Sequence, residues 1–219
     1  MKLLFINPNS SAHMTDSVVA TARRLLPEAE ILGWTNHDGP PAIQGPRDGA
    51  AALPGQLALL PKARAAGVDA IVIACFDDTG LDEMRARAHC PVIGIGQAAC
   101  HVALLSGQRF GVVTTVAESV PVIEGNIRQQ GFGGPCLGVR ASGIAVLDVE
   151  EGKPEVIGRL AREIRAMGEL GAGAIILGCA GMSIHHAALT QQTGLTLIDG
   201  VRAATVLAQA MARLSQGSM

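Results

Sequence analysis

The chain holds 219 residues, 48% of them hydrophobic and 16% charged, with a formal net charge of −2. That length and apolar content are enough for a substantial core in one domain or two small ones and exclude a disordered chain. The near-neutral balance offers nothing to a polyanion, and four Phe, one Trp and no Tyr leave no base-stacking platform, so a nucleic-acid partner is not expected.

Lys2 to Ile6 reads as a first strand, which becomes polar at Asn7 too soon for a signal peptide. The turn Asn7-Pro8-Asn9-Ser10-Ser11 follows, then a helix from about His13 to Leu26 with Val18, Val19, Ala22 and Leu25 at helical spacing, stopped by Pro27. Asn and Ser in the turn serve equally as helix caps or as a polar floor for a ligand. Glu30 to Thr35 is a second strand. The Gly- and Pro-rich loop from His37 to Gly45 is either a plain connection or a lid. Asp48 to Ala66 is helical, kinked or split at Pro61. Ala70 to Ala74 is a short branched-aliphatic run ending at Cys75, as expected of a central parallel strand. A short helix (Leu81 to Ala88), a strand (Pro91 to Gly94) and a helix (Gln97 to Leu105) complete the first half.

Arg109 to Thr115 restarts the pattern. A helix from Glu118 to Gln130, a strand near Leu137 to Arg140 and a helix from Pro154 to Leu170 lead to a second aliphatic strand, Ala174 to Leu177, ending at Cys179. A helix from Ser183 to Gln191, a strand (Leu195 to Ile198) and a final helix from Gly200 close the chain. Aligned on their cysteines, Gly67 matches Gly171 and Ala70 matches Ala174, while Gly96 and Gly200 keep the same 104-residue separation as Cys75 and Cys179. The chain therefore reads as an internal duplication. The expected fold is α/β: two similar lobes related by a pseudo-twofold axis, each a mainly parallel sheet flanked by helices. Residues 1–97 form the first, 98–200 the second, and the terminal helix, about 201–219, returns to the first. The active-site cleft lies between them.

Five cysteines, at 75, 90, 100, 136 and 179, include no Cys-x-x-Cys pair, which disfavours a disulfide framework or structural zinc and fits a reduced, cytoplasmic compartment. Uncharged stretches such as Cys90 to Gln108 are broken by Gly, Pro or His, so no membrane span is expected. His185 and His186 are adjacent on a helix and cannot face one metal, so they read as an exposed pair. Asp77 and Asp78 read either as caps of the following helix or as substrate contacts, the cap reading being favoured, and Arg47 or Arg140 would suit a carboxylate.

A lone free cysteine is commonly a packing residue, the role assigned to Cys90, Cys100 and Cys136. Cys75 and Cys179 differ, because strand C-termini in open α/β sheets face the ligand crevice. Two thiols facing each other across one cleft suit a carbon acid, one removing a proton as thiolate while the other returns one to the opposite face. Glycines in Gly178-Cys179-Ala180-Gly181 allow backbone amides to approach the oxyanion. This chemistry needs neither metal nor organic cofactor.

Ile6-Asn7-Pro8-Asn9-Ser10, Gly39-Pro40-Pro41-Ala42-Ile43-Gln44-Gly45, Ala74-Cys75-Phe76, Val113-Thr114-Thr115 and Leu177-Gly178-Cys179-Ala180-Gly181-Met182 together resemble the aspartate/glutamate/hydantoin racemase superfamily. Within it they are most similar to the hydantoin racemase branch, which also contains allantoin racemases. The resemblance implies that Cys75 and Cys179 are the acid/base pair, that Asn7, Ile43, Phe76, Thr114, Thr115, Ala180 and Gly181 line the substrate pocket, and that the protein is a homo-oligomer acting on a small molecule. Departures are Ala42 and Gln44 in place of Ser and Glu, Asp77 in place of Gly and Thr79 in place of Pro. The glutamate racemase branch fits less well, since Ala180 and Gly181 replace its Thr and His after the second cysteine and Asn7-Pro8-Asn9 replaces its Asp-Ser-Gly turn. Racemisation of a 5-monosubstituted hydantoin or allantoin is the expected activity. An amino-acid racemase, a cofactor-free decarboxylase of the same superfamily and a non-catalytic small-molecule sensor are the alternatives.

Overall fold

The computed structural model describes residues 1–216. In the first half, β1 (Lys2–Asn7), α1 (Ala12–Leu25), β2 (Glu30–Thr35), α2 (Pro46–Ala58), α3 (Leu60–Ala65), β3 (Ala70–Ile73), α4 (Leu81–Arg87), β4 (Val92–Gly94) and α5 (Ile95–Leu105) follow in order. In the second half come β5 (Phe110–Thr114), α6 (Val120–Gln129), β6 (Cys136–Ala141), α7 (Val146–Glu151), α8 (Pro154–Glu169), β7 (Ala174–Gly178), α9 (His186–Thr193), β8 (Leu197–Asp199) and α10 (Gly200–Gln216). Short 3₁₀ turns at Ala117–Ser119 and Ala180–His185 precede α6 and α9.

Two four-stranded sheets result, ordered β2-β1-β3-β4 and β6-β5-β7-β8, with every pairing parallel. The same order in both sheets is the duplication read from the sequence. β3, β5 and β7 are buried throughout, as continuous aliphatic runs covered on both faces must be. Successive residues point to opposite faces. In β1, Leu3 and Phe5 join a central core with Val72, Val112 and Ile176, whereas Leu4 and Ile6 join an outer core with Leu60, Ala63 and Met84. A second outer core gathers Ile157, Leu160 and Ile164 of α8 on β5 and β7.

The central core runs through both halves. Ala98, Ala99 and Ala103 of α5 and Ala204, Ala208 and Ala212 of α10 lie in it, and such small side chains let α5 and α10 pack closely against each other. The last helix also packs on α1, β3 and β4 of the first half. Residues 217–219, assigned with it from the sequence, lie outside the described residues.

Pro61 splits the predicted long helix at Leu59, giving α2 and α3. Helix α7 has no counterpart in the sequence reading: its six residues start at Val146, after Ala145, which provides no side-chain cap, so neither periodicity nor a cap marks it.

Candidate active site

β3 runs to Ile73, and Ala74 N still donates to Ile6 O at 2.9 Å before the chain turns away. Cys75 therefore stands just past a strand end, its carbonyl accepting from Asp78 N at 3.0 Å. The Thr79 hydroxyl donates to Cys75 Sγ at 3.5 Å, a bond that the proline of the family pattern could not make. In the second sheet, β7 ends at Gly178, whose carbonyl accepts from Thr114 Oγ1 at 2.9 Å. Cys179 follows, with the backbone N–H groups of Gly181 and Met182 directed at its sulfur.

Both cysteines border one cavity of about 20 Å³, room for roughly one water molecule. Of the pocket residues named from the sequence, Ile43, Phe76, Thr114, Thr115 and Ala180 border it. Asn7 stands behind: its Nδ2 donates to Asn9 Oδ1 at 2.8 Å, and Asn9 reaches the cavity. Gly181 contributes its amide to the Cys179 sulfur and does not border the cavity. Ser11, in the same polar turn as Asn9, caps α1 by accepting from Met14 N at 3.2 Å.

Burial pushes Cys75 well above the ordinary thiol value, and the neighbouring Asp77 charge raises it further, while the Thr79 hydroxyl works in the opposite direction. Burial likewise pushes Cys179 up to about 12, opposed by the Gly181 amide. Thiolates that form here are strong bases. Asp77 is pushed up to about 7 by burial and by Asp78, with the Ser119 hydroxyl opposing the shift.

Neither aspartate caps the helix that follows. Asp78 reaches across to α5, accepting from Gly96 N at 2.9 Å and Gln97 N at 2.7 Å. It does so at φ 48°, a left-handed conformation uncommon outside glycine. A Cβ on Gly94 would come within 2.0 Å of its carboxylate and one on Gly96 within 2.4 Å of Phe76 O, so both positions require glycine. Asp77 turns to Ser119 instead.

The loop after β2 closes over the cavity. Ile43 borders it from the first half and Val146 from the second, and Val146 N donates to Gln44 Oε1 at 3.2 Å. His13 and Glu150 form a second link between the halves at 2.9 Å. A larger outer cavity of about 600 Å³ lies between α2, α4 and α6, and Asp77 borders it as well.

Other candidates fall elsewhere. Arg140 is paired with Glu163 at 2.8 Å, and Arg47 is exposed away from the cavity. His185 and His186 are half-buried rather than exposed, because their rings meet the carbonyls of Val149 at 2.8 Å and Leu197 at 3.2 Å. No cluster suited to a metal ion occurs among the described residues. Cys100 is in the central core with Cys136 half-buried against it, and Cys90 packs half-buried against the outer core of the first half. Sequence reasoning missed Met14, Ser119 and Val146 as bordering residues. Ser119 follows the end of β5, a position that topology marks; Val146 carries no such signal.

Matched α/β halves with a thiol at each corresponding strand end define a duplicated α/β protein with a two-thiol site on one cavity. Residues 3–208 match the family model described as Asp/Glu/Hydantoin racemase. A hydantoin racemase from Rhizobium meliloti is 44% identical over 213 residues, covering 96% of this chain and 88% of that protein. One from Pseudomonas sp. (strain NS671) is 33% identical over 218 residues, covering 99% and 88%. The structure of an allantoin racemase from Klebsiella pneumoniae superposes with a TM-score of 0.92 at 38% identity, covering 98% of this chain and 89% of that one. The chain belongs to the Asp/Glu/hydantoin racemase family and is an isomerase of the racemase class.

Proposed function

We propose that the protein inverts the C5 centre of 5-monosubstituted hydantoins or of the related ureide allantoin, without a cofactor, using Cys75 and Cys179 on opposite faces of the ring. One cysteine, as thiolate, takes the C5 proton, and the electron pair of the broken C–H bond passes to the adjacent carbonyl as an enolate. The other, as thiol, delivers its proton to the opposite face and is left as thiolate, so the pair ends with its protonation states exchanged. Acid and base steps of this kind are worth roughly 10²–10⁴-fold. The remaining acceleration comes from the acidity of the ring C–H and from hydrogen-bond donors to the enolate oxygen.

The observation that carries this reading is that both sulfurs border a single cavity. The same lining favours an uncharged ring over a free amino acid. It contains Asn9, Thr114, Thr115 and Ser119 as polar contacts but no Arg, Lys or His to hold a carboxylate. A decarboxylase of this superfamily manages with one thiol, so two thiols on one cavity favour transfer on two faces. In this reading residues 1–97 with the terminal helix form one lobe and 98–200 the other. The enzyme works in the cytoplasm, where its thiols stay reduced, and as a homo-oligomer. The oligomer is supported by apolar side chains left exposed on α5 and α10, Leu105 at 80%, Val206 at 51% and Met211 at 43%.

The test is incubation of each enantiomer of several 5-substituted hydantoins, allantoin, aspartate and glutamate in D₂O, following optical rotation and solvent deuterium at the stereocentre. Loss of rotation with deuterium incorporation for the ring compounds is expected. Inversion of aspartate or glutamate alone would overturn the substrate assignment, and inversion without deuterium uptake would overturn proton transfer.

A further inference from the structure

Asp77 is the only charged side chain on the lining of the two-thiol cavity among the described residues, and it borders the large outer cavity too. It is only 8% exposed. Its backbone carbonyl is pinned by Asn126 Nδ2 at 2.8 Å, and its carboxyl group is held by the Ser119 hydroxyl. The other oxygen, Oδ2, is buried without a hydrogen-bond partner. Buried polar atoms are nearly always paired, and leaving one unpaired costs roughly 1–3 kcal/mol, so an orphan on a cavity wall signals a missing ligand contact.

We propose that Asp77 is the specificity-determining residue of this site, its free carboxyl oxygen hydrogen-bonding the amide edge of an uncharged cyclic ureide and its charge excluding carboxylate-bearing compounds. This rests on the hydantoin reading above. The groups around the carboxyl are Cys75, Cys179, Asp78 and Ser119, none of which is a cation. A carboxylate ligand would therefore meet an acidic neighbour with no compensating charge. With its ionisation near neutrality, Asp77 is available in both forms, the acid donating to a ring C=O and the carboxylate accepting from a ring N–H. A cyclic ureide presents both groups side by side, so it is matched in either form. Position between the two cavities lets the same side chain screen compounds passing from the outer cavity to the thiols.

Asp77→Asn keeps a donor and an acceptor and removes the charge, whereas Asp77→Ala removes all three. The experiment measures kcat and KM for both enantiomers of a 5-substituted hydantoin, and the inhibition constant of the ring-opened N-carbamoyl amino acid, which carries a carboxylate. In Asp77→Ala the hydantoin KM is expected to rise roughly 10-fold, the loss of about one hydrogen bond. Asp77→Asn should restore most of that while binding the carbamoyl acid at least ~10-fold more tightly than the wild type does. A wild type that inverts hydantoins while Asp77→Ala retains its KM and Asp77→Asn its poor binding of the carbamoyl acid overturns the assignment to Asp77 alone. A wild type that inverts no ring compound overturns the hydantoin reading, and this inference with it. Should the alanine variant fail to fold, the inhibition pattern of Asp77→Asn decides by itself.

Discussion

The backbone N–H of Val146 donates to Oε1 of Gln44 across the two halves of the protein, and Val146 and Ile43, next to Gln44, both border the two-thiol cavity. The bond therefore fastens the loop after β2 to the first turn of α7 above the sulfurs. With about 20 Å³ inside, a five-membered ring needs this cover to open. Gln44→Ala removes the acceptor, and a net hydrogen bond of about 1 kcal/mol corresponds to roughly a 5-fold shift toward the open form. Amide exchange at Val146 is expected to accelerate accordingly, with protection in β5 and β7 unchanged. Undiminished protection at Val146 would show that this bond does not hold the cover.

Cys75→Ser and Cys179→Ser separate the two faces. A hydroxyl is a far weaker acid than a thiol and cannot serve as the base, so inversion is expected to fall by at least ~10²-fold in each variant. Each should still exchange deuterium into one enantiomer, the opposite one in the two variants, because the surviving thiolate reaches a single face. Polarimetry follows inversion and NMR follows exchange. Inversion at the wild-type rate in either variant removes that cysteine from the chemistry.

The two thiols were legible because a strand ending in cysteine occurs twice at matched spacing, and matched strand order then places both ends on one cavity. Of the two readings of the aspartates after Cys75, the local cap fails, since no side chain caps α4. Parallel pairing of Ile73 with Gly94 brings the start of α5 beside the loop after β3, so Asp78 caps a helix that begins 17 residues later, an adjacency that local sequence does not encode. Helix α9 starts after the expected Ser183 because Met182 N bonds to Cys179 O at 3.1 Å and the chain first makes a 3₁₀ turn. Asn7 was read as a pocket residue, yet the short side chains of the polar turn bond one another first, leaving Asn9 at the cavity.

Asp77 gives the protein a pH-dependent stability of definite sign. Its value rises from 3.8 to about 7 on folding, chiefly through burial. Below about pH 4 the carboxyl is protonated in both the folded and unfolded chain and adds no penalty. Between pH 4 and 7 the folded protein retains a proton that the unfolded chain has released, so stability falls as pH rises and levels off above the folded value, by up to about 4 kcal/mol. Asp77→Asn cannot ionise. Urea unfolding at a series of pH values is expected to show the variant gaining on the wild type from pH 4 to 8, and a gap that stays constant over that range would place the ionisation elsewhere.

Thr79 supplies a hydroxyl to Cys75 Sγ and so favours the thiolate against the burial that opposes it. Thr79→Ala removes that donor, and the ionisation of Cys75 is expected to move to higher pH, whereas Thr79→Ser should keep it in place. The rate of alkylation by iodoacetamide against pH, measured in a Cys179→Ser background with mass-spectrometric assignment to Cys75, reads the ionisation directly. In inversion assays the same change should displace the acid limb of kcat/KM toward alkaline pH, since a free-enzyme ionisation governs that limb. Alanine and serine variants with identical alkylation profiles would reduce Thr79 to a packing residue at the start of α4.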